Sequence, residues 1–248
     1  METYFNIRYE FDNGLVLERI AETLDGGRAS YICVADANVV TNAFNDLNYA
    51  AVLNEGLFAI SDSSWIPVFI RWIYGKKYSH YCGSMIFEDI VRSRKYRMLF
   101  LGAHQKMLDA LQRNITQTMN PDVRDMTFVE LPFCDVELFD YEGIAKLINS
   151  DGADIIWVGL GAPKQERFMN KLKPHLKKGV MIAVGAVFKF YSGQEEKRAP
   201  NWILRCKLEF LYRIFQEPKK QFKRCVKIIR TIPLMLFTEW RNKSKNAY

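Results

Sequence analysis

The segment 159–167 follows an apolar run and has the composition of a diphosphate-binding loop. It reads G-L-G-A-P-K-Q-E-R. Gly159 and Gly161 allow a tight turn and a close approach of a ligand to the backbone. Pro163 suits the first position of a helix, whose first N–H groups would then face an anion. A diphosphate site and a purely structural turn are both compatible with these residues.

Asp62 is the second residue with an evident chemical use, because it follows another apolar run, 57–60. A carboxylate at such a position can serve as a general base. It can also cap the helix that is predicted to begin near Ser64, since aspartate is a favoured N-cap residue. From the residues alone capping is the simpler role, and both readings stay open.

Alternating strands and helices must position these residues. Apolar runs predict strands at 31–35, 57–60, 98–101, 127–129, 154–158 and 180–184. The intervening stretches predict helices at 43–53, 65–74, 84–94, 104–113, 141–149 and 163–172. Nearly continuous apolar strands separated by helices are typical of a mostly parallel sheet with helices on both faces. The predicted fold class is therefore α/β and Rossmann-like.

Ligands of such sheets bind beyond the carboxyl ends of the strands. This rule selects a short set of residues that directly follow predicted strands: Asp62, Gly102, 159–165 and Gly185.

Composition excludes several classes of protein. The chain has 248 residues, and 49% of them are hydrophobic, enough for a sizeable core. Five scattered cysteines and three histidines argue against a disulfide framework or a zinc site and favour a reducing cytosol. The first residues have neither the basic start nor the apolar run of a signal peptide, so none is expected. No apolar run approaches the roughly 18 residues that a membrane-spanning helix needs.

The excess positive charge lies in the last fifth of the chain. Residues 201–248 contain 12 Lys and Arg but 3 Asp and Glu, whereas residues 1–200 have a net charge of −2. This contrast predicts an α/β domain over 1–200 and a helical appendage over 201–248. It also predicts an anionic partner for the appendage.

The appendage has the pattern of a basic amphipathic helix. Phe222, Cys225, Val226 and Ile229 recur at three- and four-residue spacing, with lysines and arginines between them. An apolar run at 232–237 and Trp240 follow. An anionic membrane surface fits this pattern best. Packing of the apolar face on the domain is the main alternative, and no nucleic-acid motif accompanies the basic residues.

Four sequence blocks carry a family resemblance. They are G-A-P-K-Q-E at 161–166, V-G-A-V-F at 184–188, K-R-A-P at 197–200 and L-E-F-L-Y-R-I-F-Q-E-P at 208–218. In order and spacing they resemble the WecG/TagA/CpsF glycosyltransferase family, over roughly 38–224. The resemblance implies an inverting transfer of a hexose from a UDP-sugar to an undecaprenyl-diphosphate-linked saccharide in cell-surface polysaccharide synthesis. It implies a peripheral enzyme on the cytoplasmic face of the membrane, and a homo-oligomer is left open.

The resemblance also assigns roles to residues. Asp62 becomes the catalytic base, although Ser63 replaces the glycine that follows it in the family. Thr41 and Asn42 resemble the family's T-x-N segment, which lies at the active site. Thr41 then joins the catalytic residues as a hydroxyl that positions the substrate, with a helix cap as its alternative, and Asn42 becomes a substrate contact. Gln165 and Glu166 correspond to sugar or diphosphate contacts, unless Glu166 pairs structurally with Arg167 or Arg198. Gly102 corresponds to a glycine-rich nucleotide loop.

The family's C-terminal arginines, which hold the diphosphate, correspond here to Arg213, Lys220 and Lys223. Arg198 and Arg205 are further candidates. Lys189 stands where the family often has aspartate, which favours Asp62 as the base. With no Asp-x-Asp motif present, neither a metal nor another cofactor is expected. A nucleotide-binding regulatory or scaffold protein at the membrane, without transferase activity, is the alternative function.

Overall fold

The computed structural model describes residues 1–193 and 218–246. An eight-stranded sheet forms its centre, with neighbouring strands in the order β1-β2-β4-β3-β8-β7-β5-β6. β1 and β2 form an antiparallel hairpin, and the other neighbouring pairs are parallel. The strands are β1 (Glu2–Tyr4), β2 (Ile7–Tyr9), β3 (Ala29–Ala35), β4 (Phe58–Ser61), β5 (Met98–Gly102), β6 (Thr127–Val129), β7 (Ile155–Gly159) and β8 (Gly179–Ala183).

Helices connect the strands and cover both faces of the sheet. They are α1 (Asn13–Asp25), α2 (Ala37–Asn45), α3 (Leu47–Asn54), α4 (Trp65–Tyr74), α5 (Gly83–Ser93), α6 (Gln105–Thr118), α7 (Tyr141–Asp151), α8 (Lys164–Leu172), α9 (Val187–Ser192) and α10 (Pro218–Asn246). On one face, α2, α3, α4, α7, α8 and α10 share a buried apolar cluster. On the other face, α1, α5, α6 and α9 share a second cluster.

The structure confirms the α/β class and the predicted strands, whose ends shift by only one or two residues. The predicted helical stretch 43–53 is two helices, because Asp46 breaks it. Asp46 has an extended backbone and caps α3, accepting a hydrogen bond from the Tyr49 N–H at 3.1 Å. The hairpin and α1 precede the first element that the sequence predicted.

The last helix, α10, packs on the α/β domain. Two of its residues, Met235 and Glu239, are buried against the domain. The Glu239 carboxylate accepts hydrogen bonds from the Tyr74 hydroxyl at 2.8 Å and from the Phe5 N–H at 3.2 Å. Packing on the domain, the alternative left open for this segment, is therefore present. The predicted boundary at residue 200 lies outside the described residues.

The described helices contain no segment that is both long enough and apolar enough to span a bilayer.

Candidate functional site

Five neighbouring strands deliver polar residues and glycines to one edge of the sheet. Asp62, Asp36, Gly185, Gly159 and Gly102 lie at the carboxyl ends of β4, β3, β8, β7 and β5. The helix after β7, α8, covers one face of the sheet, and the helix after β8, α9, covers the other. A crevice between strands of this kind is where parallel sheets bind their ligands. The residues selected from the strand pattern therefore lie along one edge of the sheet.

Asp62 is held at the start of α5. Its N–H donates to the Ala35 carbonyl at 3.1 Å, and its Oδ1 accepts from the Gly83 N–H at 2.8 Å. The expected cap on α4 is wrong, because Ser64 is the N-cap of that helix. Cys82, the N-cap of α5, provides no side-chain cap, and the Asp62 carboxylate fills that place. The positive end of the α5 dipole stabilises the negative charge of the carboxylate.

Gly83, at the start of α5, lies close both to this carboxylate and to the first residue of α9. A Cβ added at Gly83 would lie 3.5 Å from the Val187 side chain and 3.6 Å from Asp62 Oδ1. A Cβ added at Gly159 would lie 2.6 Å from the Phe188 ring. Glycine at 159 therefore lets the end of β7 pack directly against α9.

Gln165 fastens the loop between β7 and α8. Its side chain is 4% exposed. Oε1 accepts a hydrogen bond from the Gly161 N–H at 3.0 Å, and Nε2 donates to Glu166 Oε1 at 2.9 Å. The amide lies beneath Gly185, at 3.9 Å from the position of an added Cβ. Both ends of the amide are thus engaged by the protein, and they fix the path of 161–165.

Glu166 is fully buried behind this loop. Besides the Gln165 amide, the carboxylate accepts a hydrogen bond from the Tyr49 hydroxyl at 3.0 Å. Burial raises the pKa of Glu166 to about 7, and the Asp36 charge adds to this, while the Gln165 and Tyr49 hydrogen bonds oppose it. The alternative ion pair with Arg167 is wrong, because Arg167 pairs with Asp46 at 2.9 Å. Arg198 lies outside the described residues.

Thr41 and Asn42 lie within α2. The Thr41 side chain is buried, and its hydroxyl donates to the Ala37 carbonyl of the same helix at 2.7 Å. The alternative of a helix cap is wrong for Thr41, because Asp36 caps α2 by accepting from the Val39 N–H at 2.8 Å. Asn42 is half-buried and reaches α10: its Oδ1 accepts a hydrogen bond from Lys227 Nζ.

Gly102 leads into a helix start that already holds a carboxylate. Glu130, which follows β6, accepts a hydrogen bond from the Gln105 N–H at 3.1 Å, at the first residue of α6. His104 Nδ1 lies 3.4 Å from the same carboxylate. An anion approaching the start of α6 would meet this negative charge.

The basic residues that are predicted to bind the diphosphate lie in the C-terminal part of the chain. Arg205 and Arg213, like Arg198, lie outside the described residues. Lys220 and Lys223 belong to the first turns of α10, seven and four residues before Lys227. This spacing places the three positions on one face of the helix.

Three residues of this edge were missed in the sequence. Asp36 follows the predicted strand 31–35 just as Asp62 follows 57–60, so the same rule could have found it. Glu130 follows 127–129 in the same way. Tyr49 had no comparable signal, because its partner Glu166 is 117 residues away in the chain.

Within the ranges 1–193 and 218–246, no group of three His, Cys, Asp or Glu side chains has the arrangement of a metal site.

Known proteins resemble this chain over nearly its whole length. A relative from Bacillus subtilis is 27% identical over 247 residues, covering 98% of this chain and 93% of the relative. A relative from Bacillus spizizenii is 26% identical over 229 residues, covering 91% and 85%. One from Staphylococcus aureus is 21% identical, covering 95% and 91%. All three are named N-acetylglucosaminyldiphosphoundecaprenol N-acetyl-beta-D-mannosaminyltransferase.

A family profile supplies the wider comparison. The profile described as "Glycosyl transferase WecG/TagA/CpsF family" matches residues 6–246. The match includes the four blocks noted in the sequence and confirms the resemblance that they carry. The chain belongs to the WecG/TagA/CpsF family of glycosyl transferases and is an enzyme that transfers hexosyl groups.

Proposed function

We propose that this enzyme transfers a hexose, with inversion, from a UDP-sugar to a saccharide linked to undecaprenyl diphosphate. The product would enter cell-surface polysaccharide synthesis. The names of the relatives support N-acetylmannosamine as the hexose and an N-acetylglucosamine residue as its acceptor.

The position of Asp62 is the observation that carries the proposed mechanism. Its carboxylate is half-buried at the strand edge and fixed by the Gly83 N–H. In the proposed reaction, an acceptor hydroxyl forms the new bond to the anomeric carbon while its proton passes to Asp62. The bond between that carbon and the UDP oxygen breaks, and UDP leaves with the electron pair. Attack opposite the leaving group gives the inverted, β-linked product.

The diphosphate would lie at the loop between β7 and α8. Gly161 has a positive φ of 77°, and an added Cβ would meet no atom within 4 Å, so the backbone is open to a ligand there. The N-terminus of α8 follows directly, and an anion is favoured there. One of its N–H groups, that of Gln165, already donates to the Gly161 carbonyl at 3.0 Å. Because the Gln165 amide is engaged on both sides, we assign Gln165 and Glu166 to holding this loop.

The appendage would supply cations to the same edge. The hydrogen bond between Lys227 and Asn42 links α10 to α2, which follows β3. We assign the positive charge that stabilises the leaving diphosphate to Lys220 and Lys223, whose positions share a helix face with Lys227, together with Arg213 and Arg198. Lysine offers charge but not the two-pronged hydrogen bonding of arginine.

Release of UDP tests the proposal. The full-length protein is mixed with UDP-N-acetylmannosamine and a short-chain lipid diphosphate that carries N-acetylglucosamine, and UDP and the disaccharide product are measured. We expect turnover that requires both substrates. UDP-glucose and UDP-N-acetylglucosamine serve as comparison donors. Nucleotide binding without turnover across the donor panel would instead favour the regulatory or scaffold function.

A further inference from the structure

We propose that α4 and α10 together form a surface that docks on an anionic phospholipid bilayer. We call it the α4–α10 surface, and its apolar members are Trp65, Val68, Trp72, Leu234, Phe237 and Trp240. The proposal goes beyond an amphipathic tail, because half of the surface belongs to the α/β domain. It rests on the proposed function in one respect, namely that the acceptor saccharide is linked to a membrane lipid.

The contribution of α4 is a row of exposed apolar side chains. Trp65, Val68 and Trp72 are three and four residues apart and lie on one side of the helix. Trp72 is 74% exposed, an unusual state for a side chain with so much apolar area. Ile66, Ile70 and Ile73 occupy the opposite side and are buried against the sheet. The exposed row is therefore not needed for the core of the domain.

The contribution of α10 has the same arrangement. Leu234, Phe237 and Trp240 are exposed at three-residue intervals, and Phe237 is 54% exposed. Met235 and Glu239, on the opposite side of the helix, are buried.

The two helices are neighbours on one face of the sheet. The Tyr74 hydroxyl at the end of α4 donates to Glu239, and Lys243 Nζ donates to the Ile73 carbonyl. Both helices bury their inner sides in the same apolar cluster. Their outer sides therefore face away from the same face of the sheet and can meet one planar partner together.

The charges on these helices favour an anionic bilayer as that partner. α4 contains Arg71 and no carboxylate, and α10 contains nine Lys and Arg and one acidic residue. That one acidic residue, Glu239, is buried, whereas Arg71, Arg230 and Arg241 are exposed. Tryptophans beside lysines and arginines are typical of surfaces that lie in the headgroup layer.

The position of Trp65 connects this surface to the site. Trp65 is the first residue of α4 and follows Asp62 by three residues. Docking through α4 would bring the strand edge near the headgroups, where the diphosphate of a lipid-linked acceptor lies. The α4–α10 surface would thus deliver the acceptor as well as anchor the enzyme.

Vesicle binding of surface variants tests the proposal. The full-length protein and its variants are sedimented with vesicles of equal parts phosphatidylglycerol and phosphatidylcholine, and with pure phosphatidylcholine. Val68→Ser/Trp72→Ser should lower the partition coefficient on anionic vesicles about tenfold, from the lost burial of two apolar side chains. Phe237→Ser/Trp240→Ser should give a similar loss. Leu15→Ser, an exposed site on α1 at the opposite face, should bind like the wild type.

Retained binding of the Val68→Ser/Trp72→Ser variant would overturn the proposal, because the tail would then bind alone. Absence of wild-type binding, or an equal loss for Leu15→Ser, would also overturn it. The Trp72→Phe variant should keep most of the wild-type binding, because phenylalanine retains an aromatic ring that can enter the bilayer surface. Turnover on the short-chain acceptor is measured in parallel. If the wild type shows no turnover, the proposed function is contradicted but the α4–α10 surface is not. If the wild type turns over substrate and the Val68→Ser/Trp72→Ser variant binds vesicles as the wild type does, only the α4–α10 surface is contradicted.

Discussion

Asp62 and Gly83 are joined by a hydrogen bond of 2.8 Å between the Asp62 carboxylate and the Gly83 N–H, although 21 residues separate them. The bond connects the end of β4 to the start of α5, and α4 lies in the chain segment between these two points. Through this bond, a backbone N–H group helps to fix the orientation of the carboxylate.

Asp62→Asn separates the base from the structural contact. Asparagine retains an Oδ1 that can accept from the Gly83 N–H, but it cannot take up a proton. We expect a fall in turnover of about a thousandfold, within the usual range for losing a general base. UDP affinity, measured by titration calorimetry, should change little.

Asp46→Asn is the matched control for that variant. Asp46 caps α3, and asparagine caps a helix nearly as well. The substitution also removes the ion pair with Arg167, which is exposed and contributes little. Turnover should therefore stay close to that of the wild type. Parallel losses of turnover and UDP affinity in Asp62→Asn would assign Asp62 to binding or structure instead.

Gln165→Ala should loosen the loop between β7 and α8. It removes the partners of the Gly161 N–H and of Glu166 Oε1, which are enclosed by the loop. An unfolding free energy lower by about 1–3 kcal/mol is expected from the unsatisfied groups, together with weaker UDP binding. Urea unfolding and UDP titration measure the two effects. Gln117→Ala, at an exposed position in the last turn of α6, should change neither. Unchanged UDP affinity in Gln165→Ala would contradict the role in the loop.

Glu166 should make stability depend on pH. Burial raises its pKa from 4.5 to about 7. Between these values the folded protein retains a proton that the unfolded chain has released. The contribution of Glu166 to the unfolding free energy therefore falls as pH rises from about 4.5 to 7, by about 3 kcal/mol in total.

Glu166→Gln removes this titration, because the neutral amide imitates the protonated acid. Urea unfolding of both proteins at pH 5 and pH 7.5 should show the wild type losing stability relative to the variant as pH rises. A constant difference between the two proteins would show that Glu166 does not titrate in this window.

Gly159→Ala and Gly161→Ala should destabilise the protein for different reasons. At 159 the new Cβ would lie 2.6 Å from the Phe188 ring, whereas at 161 it would meet open space at a φ of 77°. We expect about 1–3 kcal/mol from crowding at 159 and about 1–2 kcal/mol from the backbone at 161. Phe188→Leu should recover part of the first loss and none of the second in a double-mutant cycle measured by urea unfolding. Equal coupling of both alanines to Phe188 would contradict this difference.

Several features of the site could be predicted from local sequence. The runs 31–35, 57–60 and 154–158 are buried strands because each is nearly all apolar. The rule about strand ends then selected Asp62 and 159–165 without any knowledge of contacts. Asp36 obeys the same rule, because it directly follows the run 31–35.

Other features had no local signal. The bonds of Gln165 to Gly161 and Glu166 connect near neighbours, yet their burial depends on β8 and α3 packing around them. The bond of Glu166 to Tyr49 and that of Asp62 to Gly83 join segments that the sequence treats as separate. The side of α10 that faces the domain was likewise open, since both packing and membrane contact fit its pattern.

The sequence by itself determined the α/β class, the family and the uneven charge, because strand hydrophobicity, motif order and composition are properties of short segments. The tertiary structure decided which residue supports which. It joined the Asp62 carboxylate to the start of α5 instead of α4 and buried Gln165 and Glu166. It also set α10 beside α4, with their tryptophans outward. The physical reason is that a buried polar group requires a partner wherever the fold brings one, whatever its distance along the chain.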